Sequence, residues 1–158
     1  MSINEEQMRY IRVLSDTELY KHAIDFLNTE VEVNHQFEQR PPLPNTQING
    51  LLNVAQANTY GELIDFIKHQ RDRNWQGKYA YIKIFYEHLE RVLKEMPEFA
   101  KREGLIPEDL SIQKTREEIQ KISDLLACEF IQHLAAENLV RERERIDEEK
   151  KQRRESHD

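Results

Sequence analysis

Six side chains within sixteen positions have the types and spacing to hold a polyanion: Lys68, Arg71, Arg73, Trp75, Lys78 and Lys83. Lysine and arginine neutralise phosphates, and arginine also makes paired hydrogen bonds to phosphate oxygens. A tryptophan beside them offers a face on which a base can stack. The one acid in the span is Asp72. Lys68, Arg71 and Trp75 are spaced three and four apart, so a helix that continues that far aligns them on one side. The same pattern has a plainer use. Cations near a helix C-terminus favour the macrodipole with no ligand present, and Trp75 can simply cover the core.

Other candidate groups are sparser. Gln47, Asn49, Asn53 and Gln56 follow a Pro41-Pro42-Leu43-Pro44 run; amides can contact bases, phosphates or a neighbouring subunit, or can merely occupy a solvated face. Asp65 precedes His69 by four, and Glu129 precedes His133 by four, spacings that a helix could turn toward one metal. The Glu-x-x-His spacing of di-iron bundles occurs once, at Glu32 and His35, outside any helical periodicity, and gives no di-iron signature. Cys128 lies among apolar residues and reads as a small buried or half-buried group. No phosphate loop, dinucleotide fingerprint, zinc-protease motif or nucleophile elbow is found, and nothing suggests a nucleophile with an oxyanion site. The expectation is therefore no enzyme, no cofactor, no metal and no small-molecule substrate.

The composition limits what can position these residues. The 158-residue chain has 4 Gly and 5 Pro, too few turn formers for an all-β fold, and it is sized for one domain. A 38% hydrophobic and 34% charged composition suits helices with narrow apolar stripes and wide solvated faces. A single cysteine rules out a disulfide framework within the chain. The net charge of −7 is uneven: residues 1–65 carry −6, residues 66–102 carry +4 and residues 103–158 carry −5. A protein of this kind does not bind polyanions indiscriminately, but it can bind one through a local face. The polar, acidic start MSINEEQMRY resembles neither a signal peptide nor a transit peptide, and no apolar run reaches the length of a membrane span, so a cytoplasmic protein without membrane contact is expected.

The periodicities predict an all-α single bundle of about five helices, occupying residues 1–140, followed by a charged tail over 141–158. The first helix starts near Asn4. Ser15-Asp16-Thr17-Glu18 reads as a capping box, predicting a kink or two short helices. Residues 28–44 lose the periodicity and read as an extended connector. Asn45 or Thr46 caps a second helix, buried through Ile48, Leu51, Leu52 and Ala55, with the small Gly50 leaving room for another backbone to approach. Thr59-Tyr60-Gly61-Glu62 opens a third helix with Tyr60, Leu63, Ile64 and Ile67 inward. Asn74-Trp75-Gln76-Gly77 is a turn. A fourth helix runs from about Lys78 to Met96, and Pro97 with Gly104 to Pro107 brackets a loop. Thr115-Arg116-Glu117-Glu118 opens a long fifth helix with Ile119, Ile122, Leu126, Phe130, Leu134 and Ala135 inward. After Val140 the sequence RERERIDEEKKQRRESHD is nearly all charge, a solvated helical extension or a tail held by pairs such as Asp147 with Lys151 and Glu149 with Arg153.

Three stretches, LPNTQINGLLNVAQ (43–56), DFIKHQRDRNW (65–75) and KIFYEHLERVL (83–93), together 36 of the 158 residues, resemble the small helical subunit of type III CRISPR RNA-guided effector complexes. The resemblance lies in a Leu-Pro plus Thr-Gln-Ile helix start, an aromatic and apolar helix with trailing cations, and a Phe-Tyr helix. It implies a non-catalytic bundle of about five helices that packs in several copies beside other effector-complex subunits along the guide RNA and target RNA. It also implies RNA-backbone contacts from scattered basic residues, here Lys68, Arg71, Arg73, Lys78 and Lys83, with Arg91 and Lys94 further off. The acidic net charge and the long, highly charged tail after Val140 depart from that family, and the tail reads instead as a docking strip for a neighbour. The alternative is a helical protein–protein adaptor in which the cations are simply solvated.

Overall fold

A computed structural model describes residues 4–33 and 35–157. The helices are α1 (Glu5–Leu14), α2 (Tyr20–Asn28), α3 (Asn45–Ala57), α4 (Tyr60–Arg71), α5 (Ala80–Lys94), α6 (Met96–Arg102) and α7 (Ile112–Ser156). A π-helical turn, Ser15–Leu19, joins α1 to α2 without a break, so these form one rod. With α6 a seven-residue appendage, the architecture is an all-α bundle of five principal helices. One small hairpin of β1 (Glu30–Val33) and β2 (Gln36–Gln39) is added between α2 and α3.

The long helix α7 is the mast of the bundle. Against it pack α2, α3, α4, α6 and the π turn, while α5 packs on α4. Its inner positions Ile122, Leu126, Phe130, Leu134 and Ala135 are fully buried, meeting Phe85, Tyr86 and Leu89 of α5 in one continuous core. At 45 residues α7 is about 67 Å long, more than the core can cover. It passes residue 140 unbroken; Glu142 is still buried and Ile146 half-buried, and from 147 to 157 every residue is exposed. The segment after Val140 is thus a helical extension. Among the described residues no helix is long and apolar enough to cross a membrane.

Several local expectations are corrected. The Ser15 box is not a cap: Ser15 has φ −59° and ψ −51°, whereas a cap residue needs extended dihedrals, and its side chain is turned into the core. Part of the expected connector is the β hairpin. Val31 and Val33 alternate with Glu30 and Glu32, a period of two that suits a strand, and His35 takes φ 67° in the turn. Pro44, not Asn45 or Thr46, precedes α3, and its carbonyl accepts from the amides of Gln47 and Ile48. Pro97 does not open a loop but sits in the first turn of α6, where its missing N–H costs nothing. Helix α7 is capped four residues ahead of Thr115, by Ser111, which accepts from the Lys114 amide at 3.2 Å. Nothing lies within 4 Å of where a Gly50 Cβ would be, so no backbone approaches there.

Two contacts fix the bundle around α7. Asn138, fully buried, accepts from the Leu43 amide at 2.9 Å and donates to the Leu43 carbonyl at 3.0 Å, clamping the proline-rich connector as a strand partner would. At the other end of α3, Asp124 accepts from the Tyr60 amide at 2.5 Å and Thr59 accepts from the Glu62 amide at 3.3 Å. The start of α4 is therefore satisfied both locally and from α7, which sets the direction in which α4 carries its cations.

Candidate nucleic-acid interface

The cations meet at the corner where α4 ends and α5 begins. Helix α4 stops at Arg71 because the chain turns at Asp72, and Gly77, at φ 59°, lets the connection enter the short 3₁₀ turn Gly77–Tyr79 ahead of α5. Lys68 is half-buried on the last turn of α4 and forms no ion pair among the described residues. Lys83 is exposed on the first turn of α5. Its charge, after that of Arg71, helps to hold Asp72 below the usual carboxylate range. Lys78 is exposed, with its ammonium 5.1 Å from the Tyr79 ring centroid.

Arg71 differs from its neighbours. It bonds Asp72 through Nε at 2.9 Å and Nη2 at 3.1 Å, and its Nη1 bonds Glu90 of α5. Glu90 is 6% exposed and also receives Lys94 at 2.6 Å. Lys94 and then Arg71 keep its carboxyl ionised below the usual range. Arg71 is thus a fastener between α4 and α5. Trp75 is also structural: α4 does not continue to it, so the expected alignment with Lys68 and Arg71 fails. The indole folds back instead, with Nε1 donating to the Gln70 carbonyl at 2.6 Å and the ring half-buried against the core. That bond satisfies one of the carbonyls a helix end leaves open. Arg73 stacks on this ring, 4.8 Å from its centroid, and donates to the Gln70 side chain at 3.1 Å. Lys68, Arg73, Lys78 and Lys83 therefore stand at one corner without a carboxylate in ion-pair reach among the described residues.

Of the amides, Asn49, Asn53 and Gln56 lie exposed along one stripe of α3, whereas Gln47 accepts from the buried Tyr86 hydroxyl at 2.9 Å. The histidine pairs hold no metal-like set. Among the described residues no group of three His, Cys, Asp or Glu side chains is placed to hold an ion. Asp65 and His69 are both exposed, and Glu32 and His35 lie 4.0 Å apart across the hairpin turn. Glu129 and His133 converge on Ser15, whose hydroxyl donates to Glu129 at 2.7 Å and lies 2.9 Å from His133 Nε2. A hydroxyl has one proton; given to Glu129, it leaves Ser15 to accept from the imidazole N–H. His133 then cannot act as its base, and the trio locks the π turn to α7. Cys128 is half-buried, and burial pushes its thiol up.

One polar hub was not foreseen. Arg40, at the end of the hairpin, is 4% exposed. Its Nη2 donates to the Phe26 carbonyl at 2.8 Å, and its guanidinium lies 4.6 Å from the Phe26 ring centroid and 5.1 Å from that of Phe85. His88 stacks on Phe26, with ring centroids 4.1 Å apart, and its Nδ1 lies 3.4 Å from Arg40 Nη1. Burial and then repulsion by Arg91 bring Arg40 down to about 10; burial, Arg40 and Arg91 bring His88 from 6.5 to about 4. No periodicity marks an arginine in an irregular segment as buried. The only signal was its isolation, as the one cation between Lys21 and Lys68.

Comparison with protein-family models, with curated proteins and with solved structures gives no match.

Proposed function

We propose that this chain is a non-catalytic helical subunit of an RNA-guided ribonucleoprotein, of the kind found in type III CRISPR effector complexes. Its α4–α5 corner would lie along the sugar–phosphate backbone of guide or target RNA. The observation that supports this most is the state of the corner. Among the described residues Lys68, Arg73, Lys78 and Lys83 form no ion pair, whereas Asp72 and Glu90 are occupied by Arg71 and Lys94. Arg71 fastens α4 to α5, so the backbone that carries these cations needs no reordering to meet a phosphate chain. Such contacts position a backbone and do not read sequence.

The protein side of this reading draws on α3. Residues 41–61 contain no Asp, Glu, Lys or Arg in a chain that is 34% charged. Interface centres are depleted of charge, so the amide stripe of Asn49, Asn53 and Gln56 suits contact with neighbouring subunits. The same stripe alone, with solvated cations, would serve a protein–protein adaptor. Purification at low salt separates the two. On the RNA reading, the wild type carries RNA visible by its absorbance, and a Lys68→Glu, Arg73→Glu, Lys83→Glu variant keeps its protein neighbours but loses the RNA. On the adaptor reading, both preparations are free of RNA.

A further inference from the structure

The α7 extension is sorted by charge. Residues 142–149 carry five acids and two bases; residues 150–157 carry four bases and one acid. One block is thus −3 and the next +3. Little of this is neutralised within the helix. Arg145 pairs with Glu142 and Glu149, both at 2.7 Å, but Asp147, Glu148, Lys150, Lys151, Arg153 and Arg154 form no ion pair among the described residues. The pairs of Asp147 with Lys151 and Glu149 with Arg153, open to them by spacing, are not made.

We propose that this extension pairs with the same extension of a second copy of the chain, antiparallel, about a two-fold axis near the junction of residues 149 and 150. Antiparallel pairing sets each −3 block against a +3 block, twice, while parallel pairing sets like on like. The body of the protein also has a place for the incoming helix. In this register Arg153 and Arg154 come level with residues 146 and 145 of the other copy. There, a cleft of about 740 Å³ opens between the Pro41-Pro42 connector and α7, lined by Glu137, Glu144 and Glu148 together with Arg40, Arg141 and Arg145, of which Arg141 is paired with Glu137 and Arg145 with Glu142 and Glu149. Glu144 and Glu148 have no ion-pair partner of their own among the described residues.

The size of the contact sets its strength. The fifteen helical residues 142–156 span about 22 Å, and one such helix–helix contact buries less than the roughly 800 Å² per partner of a stable interface. Beyond the core, Ile146 is the only large apolar residue to add to it. The pairing is therefore weak, reversible and salt-sensitive, and it tightens where copies are held close together. It involves no RNA, so it stands or falls separately from the function proposed above.

Sedimentation equilibrium on the full RNA-free chain tests it, at about 0.05 M and 0.5 M salt, where screening differs strongly. The expected result is a monomer–dimer equilibrium at low salt that weakens at least ~10-fold at high salt. Reversing the basic block (Lys150→Glu, Lys151→Glu, Arg153→Glu, Arg154→Glu) should leave monomer only. So should reversing the acidic block (Glu144→Lys, Asp147→Lys, Glu148→Lys). The chain with both blocks reversed is again self-complementary and should dimerise, a recovery that unfolding of the extension would not produce. A wild type that stays monomeric at low salt, a dimer that survives either single reversal, or no recovery in the double reversal would overturn the proposal.

Discussion

The polar side chains along α7 and those at the α4–α5 corner are arranged in opposite ways. Along α7 the buried Asn138 is occupied by Leu43, and the half-buried Glu129, His133 and Asp124 are occupied by Ser15 and Tyr60, while the buried Ser123 hydroxyl is the exception, with no hydrogen-bond partner among the described residues. Arg40, with no carboxylate partner among the described residues, is held by a carbonyl, a histidine and two aromatic rings. At the corner Asp72 and Glu90 are occupied by Arg71 and Lys94, and Lys68, Arg73, Lys78 and Lys83 form no ion pair among the described residues. A buried polar group without a partner costs more than its hydrogen bond returns, so the first region is built for stability. Exposed charges contribute little to folding, so the second is available for binding. Substitutions should therefore separate the two: stability lost at one, binding lost at the other.

The largest effect is expected at Asn138. Asn138→Ala removes both bonds to Leu43 and leaves a buried amide and carbonyl unpaired, lowering stability by about 3 kcal/mol in denaturant unfolding. Acid should act next, through His88. Its imidazole titrates near 4 in the fold against 6.5 when unfolded, so the unfolded chain binds the extra proton between those values. The stabilisation is complete above pH 6.5 and is lost as pH falls from about 6.5 to about 4. For a half-buried ring it amounts to about 1–2 kcal/mol. His88→Phe, which retains a ring against Phe26, should flatten that part of the stability–pH curve relative to the wild type. Gly50→Ala should raise stability by about 0.5–1 kcal/mol, since the site is helical and has open space for a Cβ. The smallest change is expected for the corner triple variant, Lys68→Glu, Arg73→Glu and Lys83→Glu, which should unfold within about 0.5 kcal/mol of wild type.

The sequence was legible where periodicity governs. The stripes of α3, α4, α5 and α7 are buried largely as their spacing predicts, with Ile48, Leu63, Ile67, Phe85 and Phe130 all inside. The helix start at Thr59 also forms, because a local side chain suffices to make it. What could not be read depends on partners distant in sequence. Ser15 has the pattern of a cap, but Glu129 and His133, more than a hundred residues on, hold its side chain inside a continuous helix. Arg71 and Lys68 looked alike as cations on one helix face; only the packing of α5 brings Glu90 to one and not the other. Trp75 looked like a stacking platform until the chain turned at Asp72 and returned its indole to the Gln70 carbonyl. The corner was visible as composition, but which of its six residues remain open was decided by tertiary contacts.

The most direct test of the corner as an RNA-facing surface is the salt dependence of binding. Affinity for a guide–target RNA duplex would be measured across a range of salt concentrations with the complex assembled around the wild type or around the triple variant. Each phosphate contact adds about −0.7 to −0.9 to the slope of log K against log salt, so losing three contacts should flatten it by roughly 2 to 3 and weaken binding at low salt. Equal slopes and equal affinities for the two complexes would contradict the account.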